Sequence, residues 1–174
     1  MLRTLAAQIK EYRKVSLATP VCMIGEVICE MIIPMLMASI VDNGVNAGNM
    51  QHIYRVGGIM IAIALLGLVS GLLGGVFASK ASTGFAKNLR AGMFENIQTF
   101  SFANIDKFSV AGLVTRLTTD VTNVQNAYQM LLRMAFRAPT TLIVAMIMAF
   151  VINRRLATIY LVAVIFLRLS FLIL

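Results

Sequence analysis

From Val56 to Ser79 the chain carries no charged residue, and nearly every side chain in the run is apolar or small. A helix needs about 20 predominantly apolar residues to cross the hydrocarbon core of a bilayer. Leu17–Val41 is a second stretch that clears this length, with Pro20 and Pro34 near its two ends. Composition agrees: 59% of the 174 residues are hydrophobic and only 13% charged. A soluble domain of this size is nearer half apolar and a quarter charged, so lipid must cover part of this surface. The expectation is an all-α, polytopic membrane protein whose long helices extend beyond the bilayer.

The net charge of +8 does not point to nucleic acid, because the basic residues gather on no aromatic-laced face. In a membrane protein such an excess marks cytoplasmic loops that meet anionic lipid headgroups. Cys22 and Cys29 lie about 10 Å apart along one helix, too far for a disulfide. His52 is the only histidine and has no cysteine near it, so no metal site is expected.

Residues 1–16 carry Arg3, Lys10, Arg13 and Lys14 against Glu11, with Leu2, Leu5, Ile9 and Tyr12 at helical spacing. This reads as a basic amphipathic elbow helix on the cytoplasmic surface rather than a signal peptide, since the following apolar run is too long and holds two glutamates. Spans are expected at about 17–41, 56–79, 134–152 and 156–174. Asp42, Asn43, Gly44, Asn46, Gly48 and Asn49 mark the first turn. The intervening region 80–133 is too charged to cross a bilayer. Phe85, Leu89, Met93, Ile97 and Phe100 step by three or four, as do Leu113, Leu117, Val121, Val124, Tyr128 and Leu131. With no proline in the way, each stripe continues its neighbouring span. The result is a cytoplasmic helical hairpin reaching well past the membrane. Lysine and arginine crowd the N-terminal segment and this hairpin, whereas the first loop has only Arg55, so both lie inside. Arg154 and Arg155 run locally against that rule. The chain stops on FLIL without a polar flank, as a truncation would.

Three groups could carry chemistry. Glu26 and Glu30 are one helical turn apart and share a face of the first span. An acid in mid-membrane costs about 2.5–3.5 kcal/mol on insertion scales, so the pair should face a cavity or partner. It either lines a path for cationic substrates, with Met23 beside it, or bonds to neighbouring helices. Met23, Met31, Met35 and Met37 crowd the same helix, where flexible thioethers suit a promiscuous pocket, but nothing beyond composition supports one and plain filling is the favoured reading. Gly67, Gly71 and Gly75, with Ser70, Gly74 and Ala78 alongside, form small-residue rows that let helices approach closely. No phosphate loop, nucleophile elbow or zinc motif is present, so no catalytic, cofactor-binding or metal residue is assigned.

The segment FSFANIDKFSVAGLVTRLTTDVTNVQNAYQMLLR, residues 100–133, resembles the first intracellular loop of ABC exporters, with Gly112, Leu113, Arg116, Leu117, Thr118, Asp120, Val121 and Gln125 matching. EMIIPMLMASIVDNGV looks like that family's close of helix one. LLRMAFRAPTTL (131–142) looks most like one half of the heterodimeric bacterial multidrug exporters. The resemblance implies that 17–174 is a partial exporter membrane domain, multi-pass in the inner or plasma membrane, working with a partner half-transporter and an ABC ATPase domain. ATP and Mg would bind the complete transporter, not this chain. Asn104, Ile105, Asp106, Lys107, Phe108 and Ser109 would form the coupling helix that contacts the nucleotide-binding domain. By that resemblance the chain is a fragment of an ATP-driven exporter of drug-like or amphipathic molecules, inactive alone. The alternative is a small proton-coupled multidrug transporter using Glu26 or Glu30, which leaves the long hairpin unexplained.

Overall fold

The computed structural model describes residues 7–100, 109–154 and 157–158, so the fourth expected span lies almost wholly outside the described residues. Three long helical stretches fill it: α1 (Lys10–Val45), α2 (Met50–Gln98) and α3 (Val110–Ile152). Among the described residues there is no strand.

A 3₁₀ turn, Lys10–Tyr12, opens α1, and the backbone then runs as α-helix from Arg13 to Ile40. It passes Ser16 and Leu17 without a break and takes in both Pro20 and Pro34. The stretch ends in a π turn, Val41–Val45, with the Asn46 amide donating to the Val41 carbonyl at 3.0 Å. Gly48 then takes φ +66°, a left-handed conformation that side chains resist. Asn49 caps α2, its Oδ1 accepting the His52 amide at 3.1 Å. The turn cluster therefore does its work mainly at Gly48 and Asn49, while its first residues are still wound into α1.

α2 is one unbroken helix of 49 residues, as the absence of proline and the continuous apolar stripe predict. At 1.5 Å per residue it is about 73 Å long, more than twice the hydrocarbon core. Residues 80–84, where Gly84 makes the weak point of the expected long helix, are helical throughout. Ser109 caps α3, its hydroxyl oxygen accepting the Gly112 amide at 3.2 Å, and α3 contains a π turn at Arg116–Asp120. Pro139 sits inside its α-helical part, Val121–Ile152. Two residues beyond that proline the Thr141 hydroxyl donates back to the Arg137 carbonyl of its own helix at 2.8 Å.

The chain packs as two compact units, Met1–Met23 with Val69–Phe136, and Ile24–Leu68 with Arg137–Leu174. Among the described residues the first unit holds most of the buried side chains. Ala78, Ala81, Ser82 and Ala86 of α2 are fully buried with Thr19 of α1, and Phe85, Val121 and Leu132 are nearly so. These small α2 residues let α1 come close, with Met23 packed on Gly74. The tilted rings of Phe85 and Tyr128 lie 4.8 Å apart, and the Tyr128 and Ser16 hydroxyls bond at 2.9 Å. Arg90 ties α2 to α3 by donating to the Leu117 carbonyl at 3.3 Å and the Thr122 hydroxyl at 3.1 Å. Tyr128→Phe keeps the ring contact and removes only the hydroxyl bond. It should lower thermal stability by about 1 kcal/mol, read from melting in detergent, and Ser16→Ala should add little more.

In the second unit Val27 is fully buried and Gly67 lies close to Cys29, where a Cβ would come within 3.1 Å. Of the two small-residue rows in α2, Gly74 and Ala78 are buried, whereas nothing lies within 4 Å of the side of Gly75. Leu65, Leu66, Leu68, Leu72 and Val76 are all more than half exposed, a dense apolar surface that suits lipid rather than water.

Candidate functional site

Glu26 and Glu30 project from one face of α1, as their four-residue spacing requires. Between them sits the guanidinium of Arg137. Its Nη1 donates to Glu26 Oε1 at 2.9 Å and its Nη2 to Glu30 Oε2 at 3.1 Å. One planar fork thus serves two carboxylates, which is the geometry that favours arginine over lysine. The two limbs differ in wetness. The Glu26 side chain is 22% exposed and that of Glu30 54%, with Arg137 between at 39%. Attraction is screened at the Glu30 limb and stronger at the drier Glu26 limb. The other Glu26 oxygen, Oε2, is buried with no hydrogen-bond partner among the described residues. Two acids against one base leave a formal surplus of one negative charge inside an apolar region.

Sequence reasoning found the acids and missed the base. Arg137 lies inside the expected third span, four residues beyond Arg133 of the charged hairpin, and no local spacing pairs it with Glu26 or Glu30. The available signal was electrostatic: acids in one apolar stretch require a cation from another, and Arg137 is the one charge in 134–152.

The remaining expected site residues fall elsewhere. Met23 is 1% exposed, with its methyl against Gly74 in the first unit. Asn104, Ile105, Asp106, Lys107 and Phe108 lie outside the described residues, and of the expected docking segment only Ser109, the cap of α3, is described. The motif that follows it has a visible local role. The Thr118 hydroxyl donates to the Val114 carbonyl and that of Thr122 to the Thr118 carbonyl, each at 2.8 Å, across the π turn. The Leu117 carbonyl accepts Arg90, and Val121 is 2% exposed. These residues shape the start of α3 and fasten it to α2.

Comparison with known proteins bears directly on this architecture. The chain is 32% identical over 156 residues to an uncharacterised ABC transporter ATP-binding protein, YfiB, of Bacillus subtilis (strain 168). That match covers 90% of this chain and 27% of the relative, so the chain spans about a quarter of that protein's length. Residues 17–174 match the family model of the ABC transporter transmembrane region. Long apolar helices that outrun the bilayer, and a match over nearly all of them, make this chain a membrane protein belonging to the ABC transporter transmembrane region family.

Proposed function

We propose that the chain supplies the first helices of the membrane domain of an ATP-driven exporter of amphipathic or drug-like molecules. The observation that carries this reading is α2: 49 unbroken residues, far more than a bilayer needs, in a chain of this family. A helix that leaves the membrane for several further turns needs a soluble partner, and an ATPase domain docked at Asn104–Ser109 would be that partner. A second half-transporter would complete the pathway, as a heterodimer by the resemblance of residues 131–142. The basic balance supports a cytoplasmic N-terminus, and the family resemblance an inner or plasma membrane. Glu26 and Glu30, with their surplus negative charge, would lie along a path for cationic substrates. The Arg137 bridge disfavours the proton-coupled alternative, because it engages both acids that such a mechanism would need free.

The test uses the transporter in which these residues are joined to an ATPase domain and a partner half, reconstituted in vesicles. Export of a cationic dye should follow ATP and ignore an imposed pH gradient. Transport driven by the gradient without ATP would overturn the reading. The 174 residues alone contain no phosphate loop and should hydrolyse no ATP. In the assembled transporter, Ile105→Ala with Phe108→Ala should leave dye binding unchanged and cut ATP-driven transport at least tenfold while hydrolysis continues. Coupled transport surviving that pair of changes would remove the docking role.

A further inference from the structure

Near the water end of the apolar part of α2, the first unit opens a cleft of about 490 Å³. Tyr12 of α1 forms one wall, and Ser79, Lys80, Thr83 and Lys87 of α2 form the floor. The wall is set by close packing: Tyr12 lies on Gly84, so near that any Cβ there would overlap its ring. Lys80 and Lys87 are seven residues apart, two helical turns, so both amines leave α2 on the same side. Thr83 stands between them, and all three side chains are exposed. Neither lysine is paired with a carboxylate among the described residues.

The cleft is also amphipathic along its length. Lys80 is the first charge after the uncharged run 56–79, so it stands where that run would leave the hydrocarbon. Val76 lines the cleft one turn back, and Leu72 continues the same face a further turn; the two are 60% and 62% exposed. A stripe that passes from leucine and valine through hydroxyls to two free lysines matches a molecule with an anionic head and an apolar tail. A free phosphate would use only half of it.

We propose that this cleft binds an anionic phospholipid, its phosphate held by Lys80, Lys87 and the Thr83 hydroxyl and its acyl chain lying along Val76 and Leu72. Lysines at a membrane surface favour anionic headgroups, and their long stems let the amines converge on one phosphate. The site shares no residue with the Glu26–Arg137–Glu30 cluster and is of opposite charge.

The test titrates the detergent-solubilised chain with a short-chain fluorescent phosphatidylglycerol, and in parallel with the matching phosphatidylcholine. Phosphatidylglycerol should bind saturably at one molecule per chain, with phosphatidylcholine at least tenfold weaker. Lys80→Gln with Lys87→Gln should weaken phosphatidylglycerol binding on the order of thirtyfold. Lys80→Arg with Lys87→Arg should retain it, and Arg55→Gln should have no effect. Inorganic phosphate at millimolar concentration should not displace the lipid. Equal binding of both lipids would mean an unselective apolar surface, and displacement by inorganic phosphate a site for the free ion. Either result overturns the proposal, as would full affinity in the double glutamine variant. The lipid comparison and phosphate competition use the unsubstituted chain, so they stand even if that variant fails to fold.

Discussion

Arg137→Met is expected to lower the stability of the chain in lipid or detergent by about 2 kcal/mol. Methionine keeps the length and apolar packing of the stem, so the change isolates the guanidinium. What is lost is uneven. The Glu30 side chain is 54% exposed, and water replaces its cation at little cost. The Glu26 side chain is only 22% exposed, and one of its oxygens is already buried without a bond. Losing the 2.9 Å contact leaves a carboxylate that neither protein nor solvent serves well. Glu30→Gln should therefore shift the melting transition little, and Glu26→Gln moderately. Adding Glu26→Gln to Arg137→Met should restore most of the loss. The cycle is read as coupling between positions 26 and 137. Strict additivity there would show that the ion pair contributes nothing, and the assigned difference between its limbs would fall with it.

A comparable loss is expected from Gly84→Val, at about 1–3 kcal/mol. The three atoms nearest to a Cβ at this position are all carbons of the Tyr12 ring. A ring cannot bend aside as the end of a methionine can, so the whole side chain must turn away from α2. Gly75→Ala supplies the contrast. Nothing lies within 4 Å of its side, so alanine there should be neutral or gain up to about 1 kcal/mol from helix propensity. If ring overlap is the cause, Tyr12→Ala should lessen the penalty at Gly84. Gly84→Val melting at the same temperature as Gly75→Ala would show that the Tyr12 contact is not a constraint.

Gly84 also marks where local reasoning stops. Read along the chain, a glycine among Thr83, Phe85 and Ala86 is the weak point of a long helix. Across the fold it is the place where Tyr12 arrives, which no local pattern contains. The length of α2 was legible because it depends on local facts: no proline, an apolar run with no charge, and a stripe at helical spacing. The division of labour between the small-residue rows was not. Gly67, Gly71, Gly74 and Gly75 look alike in sequence, and only the position of α1 makes Gly74 close-packed and Gly75 open. The acids at 26 and 30 stood out because one turn of helix relates them. Arg137 did not, being 111 residues from Glu26 and four from another arginine. The end of α1 was blurred for a different reason. A cluster of Asp, Asn and Gly signals a turn, but a π turn can absorb several such residues before the chain reverses.

The same sequence separation has a consequence in time. A ribosome adds about 5–20 residues per second, so Arg137 is made about 5–20 s after Glu26. Throughout that interval the first helix carries two acids whose eventual counter-ion has not been synthesised. Settling it fully in lipid so early would impose the insertion cost on each of them. α1 is therefore expected to stay in contact with water or the insertion apparatus until α3 can complete it.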